Sequence, residues 1–163
     1  LGGETVWLII SDTHDNLQKI EKFVEEAERR KVTHVFHCGD VVSPFTLVRL
    51  LKLEAEFHGV FGNNDGEWLL LSQRSSNRLV KGPVELIVNG KKVAMMHEPF
   101  ALEALLQSQQ YDFIFYGHTH KLDVRRQGKT LLVNPGDGSG YIAERASVVF
   151  LDPESGQIDV YQI

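Results

Sequence analysis

Four short stretches of this chain carry residue types that hold metal ions or move protons, and each one closes an apolar run. Trp7-Leu8-Ile9-Ile10 leads into Ser11-Asp12-Thr13-His14, and Val35-Phe36-His37-Cys38 into Gly39-Asp40. Phe57-His58-Gly59-Val60-Phe61 leads into Gly62-Asn63-Asn64-Asp65, and Phe113-Ile114-Phe115-Tyr116 into Gly117-His118-Thr119-His120. Carboxylate, amide oxygen and imidazole all ligate borderline divalent cations, and Asp12 and His14, two positions apart on a chain leaving a strand, can turn towards one point. A single Gly-Asp or Gly-Asn is an ordinary loop pair; the repetition at the ends of apolar runs is what gives these meaning. Of the seven histidines, His14, His97, His118 and His120 fall just past expected strands beside other ligand types. His34 and His58 read as surface or strand-end residues, and His37 as a hydrogen-bonded core histidine.

To bring such residues together, the runs must be strands of one α/β core, with the polar groups at the mouth of a sheet, where open sheets bind ligands. Between the first two runs, Leu17, Ile20, Phe23 or Val24, and Ala27 recur at helical spacing behind Asp15 or Asn16 as cap. Arg29, Arg30 and Lys31 crowd the end of that helix and read as a solvated last turn. Ser43-Pro44 opens a second helix reaching about Lys52. Strand, helix, strand, helix, strand predicts right-handed crossovers and a largely parallel first half. Trp68-Leu69-Leu70-Leu71 suggests a short helix, and Ser75-Ser76-Asn77 a mobile connection. Val84–Val88, Asn89-Gly90 and Lys91–Met96 give a type I′ hairpin, which predicts that the second half turns antiparallel. Pro99 is expected as the first residue of a helix carrying Leu102, Leu105 and Leu106. A pair at Leu122–Gln127 and Thr130–Val133, then strands near Ser147–Leu151 and Ile158–Tyr161, complete the chain.

Composition narrows the class of protein. At 163 residues the chain supports one sizeable core, so a single domain over 1–163 is expected. Apolar residues at 42% and charged residues at 24% are near globular averages. No apolar run approaches the ~20 residues of a membrane span, so a soluble protein without a membrane partner is expected. Leu1-Gly2-Gly3-Glu4 has neither the basic region nor the apolar core of a secretory leader. A net charge of −5 without a basic cluster argues against a nucleic-acid partner. The lone Cys38, inside an apolar run, reads as a buried structural thiol and fits a reducing, cytoplasmic setting.

In order, Asp12/His14, Gly39-Asp40, Gly62-Asn63-Asn64-Asp65, His97 and Gly117-His118-Thr119-His120 resemble the pattern of the calcineurin-like metallophosphoesterases. The resemblance covers nearly the whole chain and is strongest to the small stand-alone prokaryotic phosphodiesterases, whose Asn-Pro-Gly stands here as Asn134-Pro135-Gly136. It implies a four-layer α/β/β/α sandwich of two mixed sheets in one domain. It also implies two divalent transition-metal ions, manganese ahead of nickel, iron, cobalt or zinc. One metal would take Asp12, His14, Asp40 and His120, the other Asp40, Asn63, His97 and His118, with Asp40 bridging them. The activity implied is hydrolysis of a small phosphate ester, with a water shared by the metals attacking phosphorus in line.

The chain departs from the wider family at two positions. Most members carry His where Asn64 stands, a residue associated with phosphate contact or leaving-group protonation, and Asn cannot donate a proton at neutral pH. Asn64, with Asp65 to orient the group at that position, is the expected catalytic pair, and Asn63 and Asn64 the expected phosphate contacts. Glu98-Pro99 follows His97 where Gly is common, bringing an anion near the pocket. Two further readings stay open: a protein-binding scaffold like the retromer's vacuolar-sorting subunit, and a phosphomonoesterase. Association into a homo-oligomer is also left open. The full ligand set favours an enzyme over a scaffold.

Overall fold

The computed structural model describes residues 5–163; the leader expectation at Leu1-Gly2-Gly3-Glu4 lies outside the described residues. β1 (Trp7–Ile10) alternates its side chains between two interiors, and that alternation sets the layering. Leu8 and Ile10 join the core that faces helices, together with Ile20, Phe23, Leu47 and Leu71. Trp7 and Ile9 join a second core between two sheets, with Phe36, Val60, Phe115 and Val133. A strand buried on both faces reads as an unbroken apolar run because neither face meets water.

The amphipathic helix α1 (Leu17–Arg29) is capped by Asn16, whose side chain accepts from the Lys19 N–H. β2 (His34–His37), α2 (Pro44–Leu50) and β3 (Glu56–Val60) follow, and β1, β2 and β3 pair in parallel as expected. Pro44 stands in the first turn of α2. The polar anchor there is Asp15, whose Oδ1 accepts from the Ser43 N–H, the Ser43 hydroxyl and the Thr46 hydroxyl. After α3 (Trp68–Arg74), the short β4 (Leu79–Val80) adds in parallel to β3; two residues are too few to leave a periodic pattern in the sequence.

β5 (Val84–Val88) and β6 (Lys91–Met95) form the expected hairpin, with Asn89 and Gly90 at φ 50 and 76. The expectation of an antiparallel second half is corrected beyond that point. β7 (Phe113–Phe115) runs parallel to β6 and also to β9 (Thr130–Pro135), with β8 (Leu122–Gln127) antiparallel at the edge. The intervening α4 (Leu102–Ser108) is the crossover that makes β6 and β7 parallel. Pro99 is not its first residue: the helix begins at Leu102 behind Ala101 at φ 50. β10 (Ser147–Leu151) and β11 (Ile158–Gln162) return to the first sheet.

The described residues thus form two mixed sheets, ordered β11-β10-β1-β2-β3-β4 and β5-β6-β7-β9-β8. Helices α1, α2 and α3 cover the outer face of the first through Ile20, Leu47 and Leu71. Helix α4 covers the second through Leu106, against Met96, Ile114 and Leu132. This is the four-layer α/β/β/α arrangement. The last turn of α1 is less solvated than expected, because the Arg30 guanidinium lies 4.1 Å from the Phe150 ring centroid and pairs with Glu26 and Asp159.

Phe36 holds the two sheets together, with its ring 4.8 Å from Trp7 and 5.1 Å from Phe115. Phe36→Ala should lower the unfolding free energy by about 3–5 kcal/mol in a denaturant titration. Phe45→Ala, at an 83% exposed position, should change it by no more than about 0.5 kcal/mol.

Candidate metal centre

The carboxyl ends of the parallel strands of both sheets meet at one place. Asp12 and His14 follow β1, Asp40 follows β2, Asn63 follows β3, His97 follows β6, and His118 and His120 follow β7. Backbone bonds lace the loops together: the Asp12 N–H donates to Gly39 O (2.9 Å), His14 N–H to Asp40 O (3.0 Å) and Gly117 N–H to His97 O (3.1 Å). The approach is so close that a Cβ on Gly62 would collide with Asp40 Oδ1, and one on Gly117 with Ser11 Oγ. The chain also takes a left-handed backbone at Asp12 (φ 53), His14 (φ 39), Asp40 (φ 58), His118 (φ 68) and His120 (φ 55). Each such non-glycine position costs on the order of 1–3 kcal/mol and persists only where its surroundings hold it. Here that conformation turns the ligand-type side chains inward.

Around Asp12 lies a first cluster. Its Oδ2 is occupied by the Ser11 hydroxyl (2.6 Å) and the His118 N–H (3.0 Å). Its Oδ1 is buried without a hydrogen-bond partner among the described residues, as is His14 Nε2. Those two atoms are 4.0 Å apart, His14 Nε2 is 3.4 Å from Asp40 Oδ2, and His120 Nε2 is 3.4 Å from Asp12 Oδ1. Burial pushes the Asp12 carboxyl above its ordinary range, as expected where buried anionic oxygen lacks a cation.

A second cluster shares Asp40. His97 Nε2 is 3.5 Å from Asp40 Oδ2 and 2.9 Å from Asn63 Oδ1, and His118 Nδ1 is 3.0 Å from the same amide oxygen and 3.3 Å from His97 Nε2. His97 Nδ1 lies 2.7 Å from the Cys38 carbonyl. A carbonyl only accepts, so Nδ1 carries the proton and Nε2 of the neutral ring offers a lone pair. Lone pairs of Nε2, an amide oxygen and a carboxylate therefore point into one small space, an arrangement that a cation or a proton must relieve. Without a metal, the relief falls to a proton: burial works against charge on His97, but Asp40 outweighs it and raises the imidazole's pKa. Burial also works against ionised Asp40, yet His97 and Asn64 hold it well below the usual carboxylate range.

The donor set fits divalent metal binding on these observations. Asp12, His14 and His120 present ligand atoms within 4.8 Å of one another, and so do Asp12, Asp40 and His97. Imidazole, carboxylate and amide oxygen together suit manganese, iron, cobalt, nickel or zinc.

Asn64 and Asp65 stand differently. The Asn64 backbone N–H donates to Asp40 Oδ1 and its Nδ2 to Asp40 Oδ2, each at 2.8 Å, at the edge of the cluster. Asp65 is buried, and its oxygens accept the N–H groups of Asp40 (3.1 Å), Val42 (2.6 Å) and Gly62 (2.7 Å). That makes it a positioning carboxylate joining two loops. Two clefts flank the centre. One, of about 400 Å³, is lined by Phe61, Trp68 and Phe100 with Lys81 and Glu98, beside Asn63 and His97. The other, of about 560 Å³, is lined by Tyr141 and Ile142, beside His14, Asn64 and His120.

The sequence reading missed Asp137. It follows β9, its Oδ1 lies 3.2 Å from His120 Nδ1, and it accepts from Ser139, Ile142 and Ala143. Burial opposes its ionisation, but those donors bring its pKa down to about 2. Its signal was the position after Asn134-Pro135-Gly136, at the end of another buried strand. Outlying carboxylates of this kind fix the tautomer and orientation of a ligating imidazole, and their loss typically costs about 10–100-fold in metal affinity. Asp137→Asn should weaken metal binding by about that factor in a chelator competition, while Lys121→Ala, which removes an exposed side chain nearby, should leave it unchanged.

Residues 6–156 match the calcineurin-like phosphoesterase superfamily domain. A phosphodiesterase of Methanocaldococcus jannaschii is 32% identical over 152 residues, covering 90% of this chain and 92% of that protein. The solved structure of an archaeal phosphodiesterase superposes with a TM-score of 0.89 at 30% identity, covering 97% of this chain and 99% of that one. Vps29 of Entamoeba histolytica, solved in complex with zinc, superposes with a TM-score of 0.70 at 20% identity, covering 97% and 98%, a likeness of fold alone. Together with strand ends that gather carboxylate, amide and imidazole around Asp40, these matches establish that the chain belongs to the calcineurin-like phosphoesterase superfamily and is a metal-dependent phosphoesterase.

Proposed function

We propose that residues 1–163 act as one domain that hydrolyses a small phosphodiester at a two-metal centre. Asp12, His14, Asp40 and His120 would hold one divalent ion and Asp40, Asn63, His97 and His118 the other, manganese first among those that suit the set. The observation that carries this reading is the position of Asp40 Oδ2, 3.4 Å from His14 Nε2 and 3.5 Å from His97 Nε2. One carboxylate oxygen faces both clusters. Ions held there would supply Lewis acidity and a nucleophile at neutral pH for an in-line displacement.

The chain's own residues do the rest. The Cys38 carbonyl holds His97 by its outer nitrogen and aims the inner one, and Asp137 stands 3.2 Å from the outer nitrogen of His120. Asn63 and Asn64 contact the phosphate, and the flanking clefts, within the usual size range of small-molecule sites, take the two ester arms. The apolar cleft beside Asn63 accepts an aromatic or apolar group against Trp68 and Phe100. A diester leaves no doubly charged oxygen set to meet Glu98, which disfavours a monoester there. No helix among the described residues is long and apolar enough to cross a membrane, and the buried, unpaired Cys38 accords with a cytoplasmic setting. A scaffold would have no use for the complete ligand set.

Manganese-loaded protein should hydrolyse an aryl phosphodiester. Asp40→Asn should keep the fold by circular dichroism, hold fewer ions by elemental analysis and turn over more slowly by on the order of 10³-fold or more, a loss of several kcal/mol of transition-state stabilisation. Wild-type turnover in that variant at unchanged metal content would rule out the bridging role.

Asn64 bears on the leaving group. With no proton donor at this position an alkoxide must depart with most of its charge, whereas a nitrophenolate is already a stable anion. Alkyl diesters should therefore lag aryl ones by an added handicap on the order of 10²–10⁴-fold, the usual worth of general acid catalysis. Asn64→His should narrow the gap selectively for alkyl substrates in a leaving-group series at equal metal content. An unchanged slope would remove position 64 from proton delivery.

A further inference from the structure

At the opposite, amino-terminal ends of the first sheet's parallel strands lies a second group of ligand-type side chains. His34 opens β2 and Glu56 opens β3, directly opposed in register, and His58 follows two residues on, opposite Phe36. Strand alternation puts Glu56 and His58 on one face with His34. His34 Nε2 is 3.7 Å from Glu56 Oε2 and His58 Nε2 is 3.9 Å from Glu56 Oε1. The two imidazoles stack, centroids 5.8 Å apart and 6° from parallel, and the three ligand atoms lie within 4.8 Å of one another.

The hydrogen bonding decides what this group presents. Thr33 spends its hydroxyl proton on the Val6 carbonyl (3.1 Å), so the contact of 3.0 Å between Thr33 Oγ1 and His34 Nδ1 requires Nδ1 to donate. In the neutral ring Nε2 then carries a lone pair, and it faces a carboxylate. His58 Nε2 is buried with no hydrogen-bond partner among the described residues. Protonation is not the answer at neutral pH. Burial above all, against the pull of Glu56, lowers the pKa of His34, and burial with help from His34 and Arg78 lowers that of His58 to about 4. Two neutral imidazoles and one carboxylate, the first imidazole held from behind by a hydroxyl, are the ligand types of a zinc site with an open position, and a turn of one of the near-parallel rings would aim both Nε2 lone pairs at one ion.

We propose that His34, Glu56 and His58 bind a divalent zinc-class ion, a site separate from the phosphoesterase centre. Tetrahedral zinc with bonds of about 2.0–2.1 Å spaces its ligand atoms roughly 3.3–3.5 Å apart, slightly less than the distances found. Glu56, whose side chain is 53% exposed, has the freedom to close its own two contacts, and rotation of the imidazoles would close the third. Glu56 and His58 line a cavity of about 210 Å³ together with Asn77, Arg78 and Val84, where Arg78 would favour an anion as a further ligand. Bound there, the ion would pin the start of β2 to the start of β3.

Zinc titration followed by ¹⁵N resonances of the histidine side chains tests this on the whole chain. Those of His34 and His58, assigned with His34→Gln and His58→Gln, should move together and saturate, and elemental analysis should find one ion fewer per chain in Glu56→Gln and His58→Gln than in wild type. Hydrolysis of an aryl diester should be unchanged in both variants, so a failure here leaves the reading of the phosphoesterase centre standing. His34 and His58 resonances that stay fixed in wild type while zinc saturates the other histidines would overturn the proposal. An equal zinc content in wild type and both folded variants would do the same.

Discussion

Three backbone N–H groups converging on the Asp65 carboxylate hold the loop after β2 against the loop after β3. Without that anchor, the left-handed turn at Asp40 and the collision-limited approach of Gly62 would have nothing to enforce them. Hydrogen bonds to an ionised acceptor are roughly twice as strong as neutral ones, and here they are spent inside the protein, on geometry. Burial nevertheless pushes the Asp65 pKa up, with Gly62 and Val42 working against it. A carboxylate held under that tension is worth keeping only if the loops it joins must not drift, and Asp40 is what they carry.

A similar logic runs outward through the site. The inner nitrogen of His97 is aimed by the carbonyl that its outer nitrogen meets, and Asp137 lies 3.2 Å from the outer nitrogen of His120. His37, one strand inward, is a background residue by the same criterion. Its Nδ1 accepts from the Gly39 N–H and its Nε2 meets the Thr13 hydroxyl, so both nitrogens are engaged and none is left for a ligand. Burial lowers its pKa to about 3 and keeps it neutral. The contrast shows why counting histidines is a poor guide and tracing the second nitrogen is a good one.

Much of this could be read from the chain. Apolar runs buried on both faces, ending in short-range ligand pairs, announced both the first sheet and the residues at its mouth, because burial and strand alternation leave a periodic trace. Asp137 left no such trace. Its partner His120 is distant in sequence, and a lone acid after Asn-Pro-Gly looks like any turn residue. The parallel course of β6, β7 and β9 was hidden because a hairpin signal is local, whereas the sense of the next strand depends on where a crossover helix lands. Asp15 was legible as a candidate cap for α1, but its carboxylate anchors Ser43 and Thr46 at the start of α2 and leaves the capping of α1 to Asn16. His34 and His58 read as surface or strand-end residues; His34 does open β2, but His58 lies in the middle of β3 with most of its side chain covered. Their shared carboxylate appears only once β2 and β3 are placed in register.

The double burial of β1 limits how the chain can change length. Leu8 and Ile10 face the helices while Trp7 and Ile9 face the second sheet. Adding or deleting one residue within the strand would exchange the two sets, because side chains alternate with a period of two. The large Trp7 indole would be driven under α1, and Asp12 would leave the strand on the opposite side. Length variation in this chain therefore belongs to exposed turns such as Asn89-Gly90, where no buried side chain registers the frame.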